Sequence, residues 1–388
     1  RKRKRHDVYV ELPDGERVLE ATIVRAKNGI AVNFPDTRVR KRDPDCMCIG
    51  DNLPTEKTRF ADRFGYDFSE LRAHTMDLLS KQELIVMPVH AGGSKRVPIV
   101  VIAPKSCAVF ALMVATLQKF VPIKNVSADF KAQGVIYLEP SVRHTHFCGE
   151  QVVVHCRGEN GEEVHELFSF NLYPGPSAKK GIYGMLLELG LRAKNPWTVL
   201  HAAVSFLRGP QGTVIVLLHM GPSGCGKSES ASRAHLEEDG RMLIGVHHER
   251  GDKLSIAFGQ ALEIHPVLDD MAVWDPSAQD GDYICVEDAE EAWFIRVNHI
   301  TRYGQDPAIE ALVLAQDNNI LSLNITAVPD GEILPYEHVY DVEPSEENPK
   351  GKKTPNPRVI VRRAVVPGIR NGIVAATHCS IGLRQPPC

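Results

Sequence analysis

The apolar run Thr213-Val214-Ile215-Val216-Leu217-Leu218 leads into Gly221-Pro222-Ser223-Gly224-Cys225-Gly226-Lys227-Ser228, which satisfies the pattern GxxxxGK[ST] at every position. That order of strand, glycine-rich turn and helix is what a phosphate-binding loop requires. Glycines at the first, fourth and sixth positions allow the φ > 0 conformations that turn successive N–H groups inward, into a nest for an anion. Gly221, Ser223, Gly224, Cys225, Gly226, Lys227 and Ser228 therefore form the expected cofactor-binding set. Lys227 is expected to reach over the phosphates of ATP as a point charge, and the Ser228 hydroxyl to ligate Mg²⁺. A helix starting near Ser228 would aim its positive end at the same anion. A glycine-rich turn with a solvated lysine is the plainer alternative, but it has no use for the strand before and the helix after.

Composition agrees with a nucleotide-binding globular chain. The 388 residues are 43% hydrophobic and 24% charged, enough for two ordinary domains with sizeable cores. Forty-five basic residues against 49 acidic ones leave a net charge of −4, so no chain-wide electrostatic footprint for nucleic acid exists. Arg1-Lys2-Arg3-Lys4-Arg5 is a local exception and reads as a solvated tail. No apolar stretch approaches the ~20 residues that span a bilayer, and no signal peptide is visible, so no membrane partner is expected. The nine cysteines include no CxxC pair, which makes reduced thiols and a cytoplasmic location the expectation. Cys46 and Cys48 alternate with Met47 and Ile49 in a short strand pattern, and Cys225 lies inside the phosphate loop.

Along the chain, alternating apolar residues between Gly and Asp turns predict an antiparallel meander up to about residue 54. Helices are predicted over 68–82, 107–120 and 182–191, and strands over 83–89, 98–103, 134–138, 152–155 and 164–172. Strands alternating with helices imply a mixed α/β domain. Residues 173–181, dense in Pro and Gly and ending in two lysines, read as a loop, as does the polar, Pro-punctuated stretch 344–357.

Four further groups carry possible chemistry. Asp269 and Asp270 follow the apolar approach Ile264-His265-Pro266-Val267-Leu268, where phosphate-loop proteins keep the acid for a bound metal; a double-Asp turn or a helix N-cap uses the same residues. Arg143-His144-Thr145-His146 puts two imidazoles on one strand face, suiting a metal or phosphate as well as a plain surface. His201 opens an apolar segment in which a satisfied, partly buried histidine is the plainer reading. Lys179-Lys180 marks either an anion site or solvent-facing charge.

Taken in order, Lys179-Lys180-Gly181-Ile182, a histidine about twenty residues on, the phosphate loop and the double aspartate resemble the phosphoenolpyruvate carboxykinases. In that family the second lysine, the histidine and an aspartate bind Mn²⁺. The resemblance implies that Lys180, His201 and Asp269 hold a transition metal, with Asp270 the alternative acid, while Lys227 and Ser228 serve ATP and its Mg²⁺. Arg358, in Asn356-Pro357-Arg358-Val359, is similar to the arginine that neutralises the transferred phosphoryl group, so Lys227, Lys180 and Arg358 are the implied catalytic residues.

The chain as a whole is similar to a bacterial family of carboxykinase-like proteins without an assigned reaction, through segments 143–147, 173–181, 221–229 and 268–271. The resemblance implies an α/β protein: a mixed α+β N-terminal domain over 1–199 that contributes the Lys-Lys loop, and a carboxykinase-like P-loop nucleotide-binding domain over 200–388. Members of the family run longer at the C-terminus, and with no initiating Met the chain is expected to be part of a longer protein. About forty residues separate Lys227 from Asp269, more than in the carboxykinases, which implies an insertion or a different strand order. The leading expectation is an ATP-dependent phosphotransferase with a small-molecule acceptor. An ATP-dependent phosphoenolpyruvate carboxykinase acting on oxaloacetate and a non-enzymatic nucleotide sensor are the alternatives.

Overall fold

The computed structural model describes residues 4–11, 14–33, 47–51, 57–105, 108–139, 152–157, 164–170, 174–209, 212–222, 225, 227, 241–256, 263–315, 320–342, 352–353, 357–366 and 372–382. The fold is mixed α/β, with several sheets and few helices among the described residues. Its chain forms two compact units, one of Arg1–Ala91, Lys95–Leu186 and Glu290–Val365, the other of Gly92–Ser94, Leu187–Ala289 and Val366–Cys388. The expected single cut between residues 199 and 200 thus falls inside a segment of the second unit, and 290–365 joins the N-terminal part.

Among the described residues, the first unit holds two large sheets and a two-stranded one. One has six strands in the order Arg5–Glu11, Arg17–Arg25, Gly29–Asn33, Ile320–Leu323, Arg358–Arg362, Ala292–Arg296. Its first three strands are the antiparallel meander expected from the alternation. Gly29 has φ +159, and a Cβ there would lie 2.1 Å from the carbonyl oxygen of Ile320, so the parallel pairing with Ile320–Leu323 requires glycine. Asn28, 1% exposed, donates to Val313 O (2.6 Å) and Ile333 O (3.2 Å) and accepts from Ile333 N (2.9 Å), which satisfies the buried amide. Lys4 pairs with Asp330 and Arg5 begins a strand, and both side chains stay mostly exposed, at 55% and 64%.

The other sheet has seven strands, ordered Met47–Ile49, Val152–Arg157, His165–Phe170, Gly134–Glu139, Val97–Pro104, Leu84–Ala91, Lys119–Phe120. His165–Phe170 is buried throughout, as an inner strand covered on both faces should be. Helix Phe68–Ser80 begins at Asp67, whose carboxylate accepts from the Ser69 N–H at 2.8 Å. It seats Phe68 in a cluster with Cys48, Phe60, Phe168 and Phe170. Arg72 from the same helix grips Glu166 in a two-bond fork at 2.7 and 2.9 Å.

Two predicted loops are corrected. Helix Pro174–Arg192 runs for 19 residues and takes in all but the first residue of the stretch read as a breaker loop. Pro174 and Pro176 stand in its first turn, where the backbone N–H groups have no helical acceptor and a missing donor does no harm. Within the polar stretch 344–357, Lys352–Lys353 pairs antiparallel with Tyr340–Val342. Cys46, the His144 and His146 pair and the helix expected after Ser228 lie outside the described residues.

The second unit is built on a mixed sheet ordered Val374–Ala376, Ile284–Asp288, Met271–Trp274, Thr198–Arg208, Val214–Met220, His378–Ile381, with Glu263–Leu268 also pairing to Thr198–Arg208. Ala202, Val204, Leu218, Leu268, Ala272 and Val286 meet in its core. Val214–Met220, the strand expected to carry the phosphate loop, runs antiparallel to Thr198–Arg208 and parallel to His378–Ile381.

Candidate functional site

The site grows out of one hairpin. The turn between Arg208 and Val214 closes with Gly209 N–H on Thr213 O at 2.8 Å, and the resulting register sets Ala202 opposite Met220. His201 therefore lands beside the first residue of the loop, and the Gly221 N–H donates to its carbonyl at 3.2 Å. Glu263–Leu268 and Met271–Trp274 both pair with the other edge of the same strand, Leu268 opposite Val204 and Met271 opposite His201. Asp269 and Asp270 interrupt that pairing at the level of the loop. Asp270 takes φ +73, a left-handed conformation that Asp tolerates better than most residues. Its Oδ1 lies 2.7 Å from His201 Nε2, with both side chains about one-third exposed (31% and 32%).

Lys227 completes the arrangement. Its ammonium donates to Gly221 O at 2.8 Å and to Pro222 O at 3.0 Å and lies 3.8 Å from Cys225 Sγ, while the residue is 7% exposed. The Cys225 N–H closes the turn onto Pro222 O at 3.3 Å. Main-chain carbonyls of the turn itself thus hold the Lys227 side chain. Ser223, Gly224, Gly226 and Ser228 lie outside the described residues.

Gly221, Cys225, Lys227, His201, Asp269 and Asp270 all belong to the second unit, and Asp270, the alternative acid, carries the bond to His201. Lys180 and Arg358 belong to the first. Lys180 stands within helix Pro174–Arg192 rather than at the end of a loop, and its side chain lies outside the described residues. Its neighbour Lys179 is neither solvent-facing nor on a loop: Nζ lies 2.8 Å from Glu290 Oε2, with the two side chains 7% and 1% exposed. Arg358 sets its guanidinium 5.0 Å from the Phe294 ring centre, and Lys179 Nζ lies 5.1 Å from the same ring. Among the described residues, no group of three His, Cys, Asp or Glu side chains gathers as a ready-made metal cage.

His219, on the strand that enters the loop, had drawn no attention in the sequence. It is 8% exposed and bridges two neighbouring strands, with Nε2 3.2 Å from Ser205 Oγ and Nδ1 2.9 Å from Ser380 Oγ. A single polar residue in Val214–Met220 was the available signal. Burial lowers its pKa below the ordinary 6.5. The unfolded chain then takes up the proton more readily than the folded one. Stability from this group is complete above about pH 6.5 and is lost as pH falls below that value. Urea denaturation of His219→Gln is expected to show a shallower loss of stability than wild type between about pH 6.5 and 5. Parallel curves would rule out His219 as the source.

No helix among the described residues is long and apolar enough to cross a membrane. No curated protein matches the sequence. The family described as Domain of unknown function (DUF4914) matches residues 1–388, and the chain belongs to that family.

Proposed function

We propose that the chain binds ATP with a divalent cation and transfers the γ-phosphoryl group to a small-molecule acceptor, as a P-loop protein of the carboxykinase-like class. Lys227 carries the proposal: a buried ammonium held by main-chain carbonyls of a glycine-rich turn at the end of a strand is a charge waiting for an anion. His201 and Asp270 offer an imidazole nitrogen and a carboxylate oxygen at one point beside that turn, a donor set that suits Mn²⁺ or Mg²⁺. With Ser228 and Asp269 they would hold the cation, which when bound supplies charge neutralisation on the transferred group. Lys227 binds the phosphates, and the turn's amides orient them. Lys180 and Arg358 take their roles, metal ligand and phosphoryl clamp, from the resemblance to the carboxykinases. A reducing, cytoplasmic setting fits nine cysteines without a CxxC pair.

Calorimetric titration with ATP in the presence of Mg²⁺ and Mn²⁺ tests the proposal. Wild type is expected to bind ATP more tightly with Mn²⁺ present, and His201→Ala or Asp270→Asn to abolish that Mn²⁺ effect while keeping metal-free ATP binding within about threefold. Mn²⁺ dependence unchanged in both variants would remove these residues from the metal site. ATP consumption across an acceptor panel then separates a transferase from a sensor, and product formation from oxaloacetate identifies a carboxykinase.

A further inference from the structure

Gly382 stands where His378–Ile381 runs out beside the phosphate loop, and its N–H donates to Met220 O at 2.7 Å. A Cβ on Gly382 would lie 2.8 Å from Cys225 Sγ, 3.0 Å from Cys225 Cβ and 3.3 Å from the Cys225 carbonyl oxygen. A Cβ on Gly221, at φ +155, would lie 2.5 Å from Gly382 O and 2.7 Å from the same Sγ. The Cys225 side chain occupies the space that two missing side chains leave. Two residues earlier, Ser380 is fastened to His219 at 2.9 Å, which fixes the height of this strand against the one that carries the loop.

We propose that Gly382, which lies outside the sequence motif, is a positioning residue of the nucleotide site, a role that presupposes ATP binding as proposed above. Its bare backbone gives Cys225 a seat between Gly221 and Gly382, and that seat sets the curvature of the loop and the reach of Lys227. A methyl group at 382 conflicts with the thiol, with Cys225 Cβ and with the Cys225 carbonyl. Rotating the thiol relieves only the first contact, so the backbone of the loop must move. Amides aimed at phosphate oxygens lose their alignment with small displacements, and affinity falls before the fold does.

Four proteins decide it: wild type, Gly382→Ala, Cys225→Gly and the double variant, the last of which lacks both the thiol and the Cβ that a methyl at 382 would meet. Calorimetry with Mg–ATP is expected to show at least tenfold weaker binding for Gly382→Ala than for wild type, and a much smaller effect of the same Gly382→Ala change when it is made in Cys225→Gly, with melting temperatures of all four close together. Peptide-resolved iodoacetamide labelling of nucleotide-free protein is expected to show Cys225 reacting several-fold faster in Gly382→Ala, because the thiol has left its seat. Wild-type affinity in Gly382→Ala, or a Gly382→Ala effect undiminished in the Cys225→Gly background, overturns the proposal. If wild type itself binds no nucleotide, the ATP assignment fails and the binding role of Gly382 with it. The labelling rate then stands alone, and an unchanged rate would refute the seat as well.

Discussion

Lys227→Ala is expected to lower the proposed affinity for Mg–ATP by about 100-fold or more, while thermal unfolding stays near that of wild type. Hydrogen bonds to charged groups contribute about 1.5–3 kcal/mol each, and losing the equivalent of two around a triphosphate weakens binding by that factor. In the free protein the ammonium is bonded to the carbonyls of Gly221 and Pro222, which a water molecule can serve in its place at a cost of about 1 kcal/mol. Titration calorimetry paired with scanning calorimetry reads both quantities. Unchanged affinity would contradict the phosphate-loop assignment outright.

Lys179→Met is expected to act on stability instead. Glu290, with a side chain 1% exposed, would keep its charge and lose the cation 2.8 Å away, and breaking one side of a buried pair costs about 3–5 kcal/mol. Gln118, whose Nε2 lies 3.5 Å from Glu290 Oε1, is too long a contact to replace it. Removing both charges, as Lys179→Met with Glu290→Leu, should regain most of the loss, because an apolar pair of similar volume needs no compensation. Guanidinium denaturation of the three variants and wild type checks this. Equal destabilisation by the single and double variants would show that the pair itself contributes nothing particular.

What the sequence disclosed follows the reach of its local patterns. The strand before the glycine-rich turn and the N-terminal meander are written in short-range spacing, and among the described residues each forms where expected. His201 and the aspartates join the loop through antiparallel pairing, in which residues at equal distances from a turn become neighbours. That is why a histidine about twenty residues upstream sits against Gly221. Prolines misled at Pro174 and Pro176, since the same residue that breaks a helix interior is harmless in its first turn. Lys179 reads in the sequence as either an anion site or solvent-facing charge, because its partner, Glu290, lies far along the chain. Ser380 and Gly382 escaped for the same reason: they reach the loop through a parallel strand with a separation of 161 residues between Ser380 and His219, and no periodicity announces such a pairing.

That late partner has a consequence for how the molecule comes into being. A ribosome releases the glycine-rich turn well before the strand that flanks it, and Gly29–Asn33 waits still longer for Ile320–Leu323. Each unit is interrupted by the other along the polypeptide, so nascent chains carry open strand edges through most of translation, a state prone to aggregation. Expressing either half across a single cut would strand those edges permanently. Inclusion bodies, rather than two separable fragments, are the foreseeable yield.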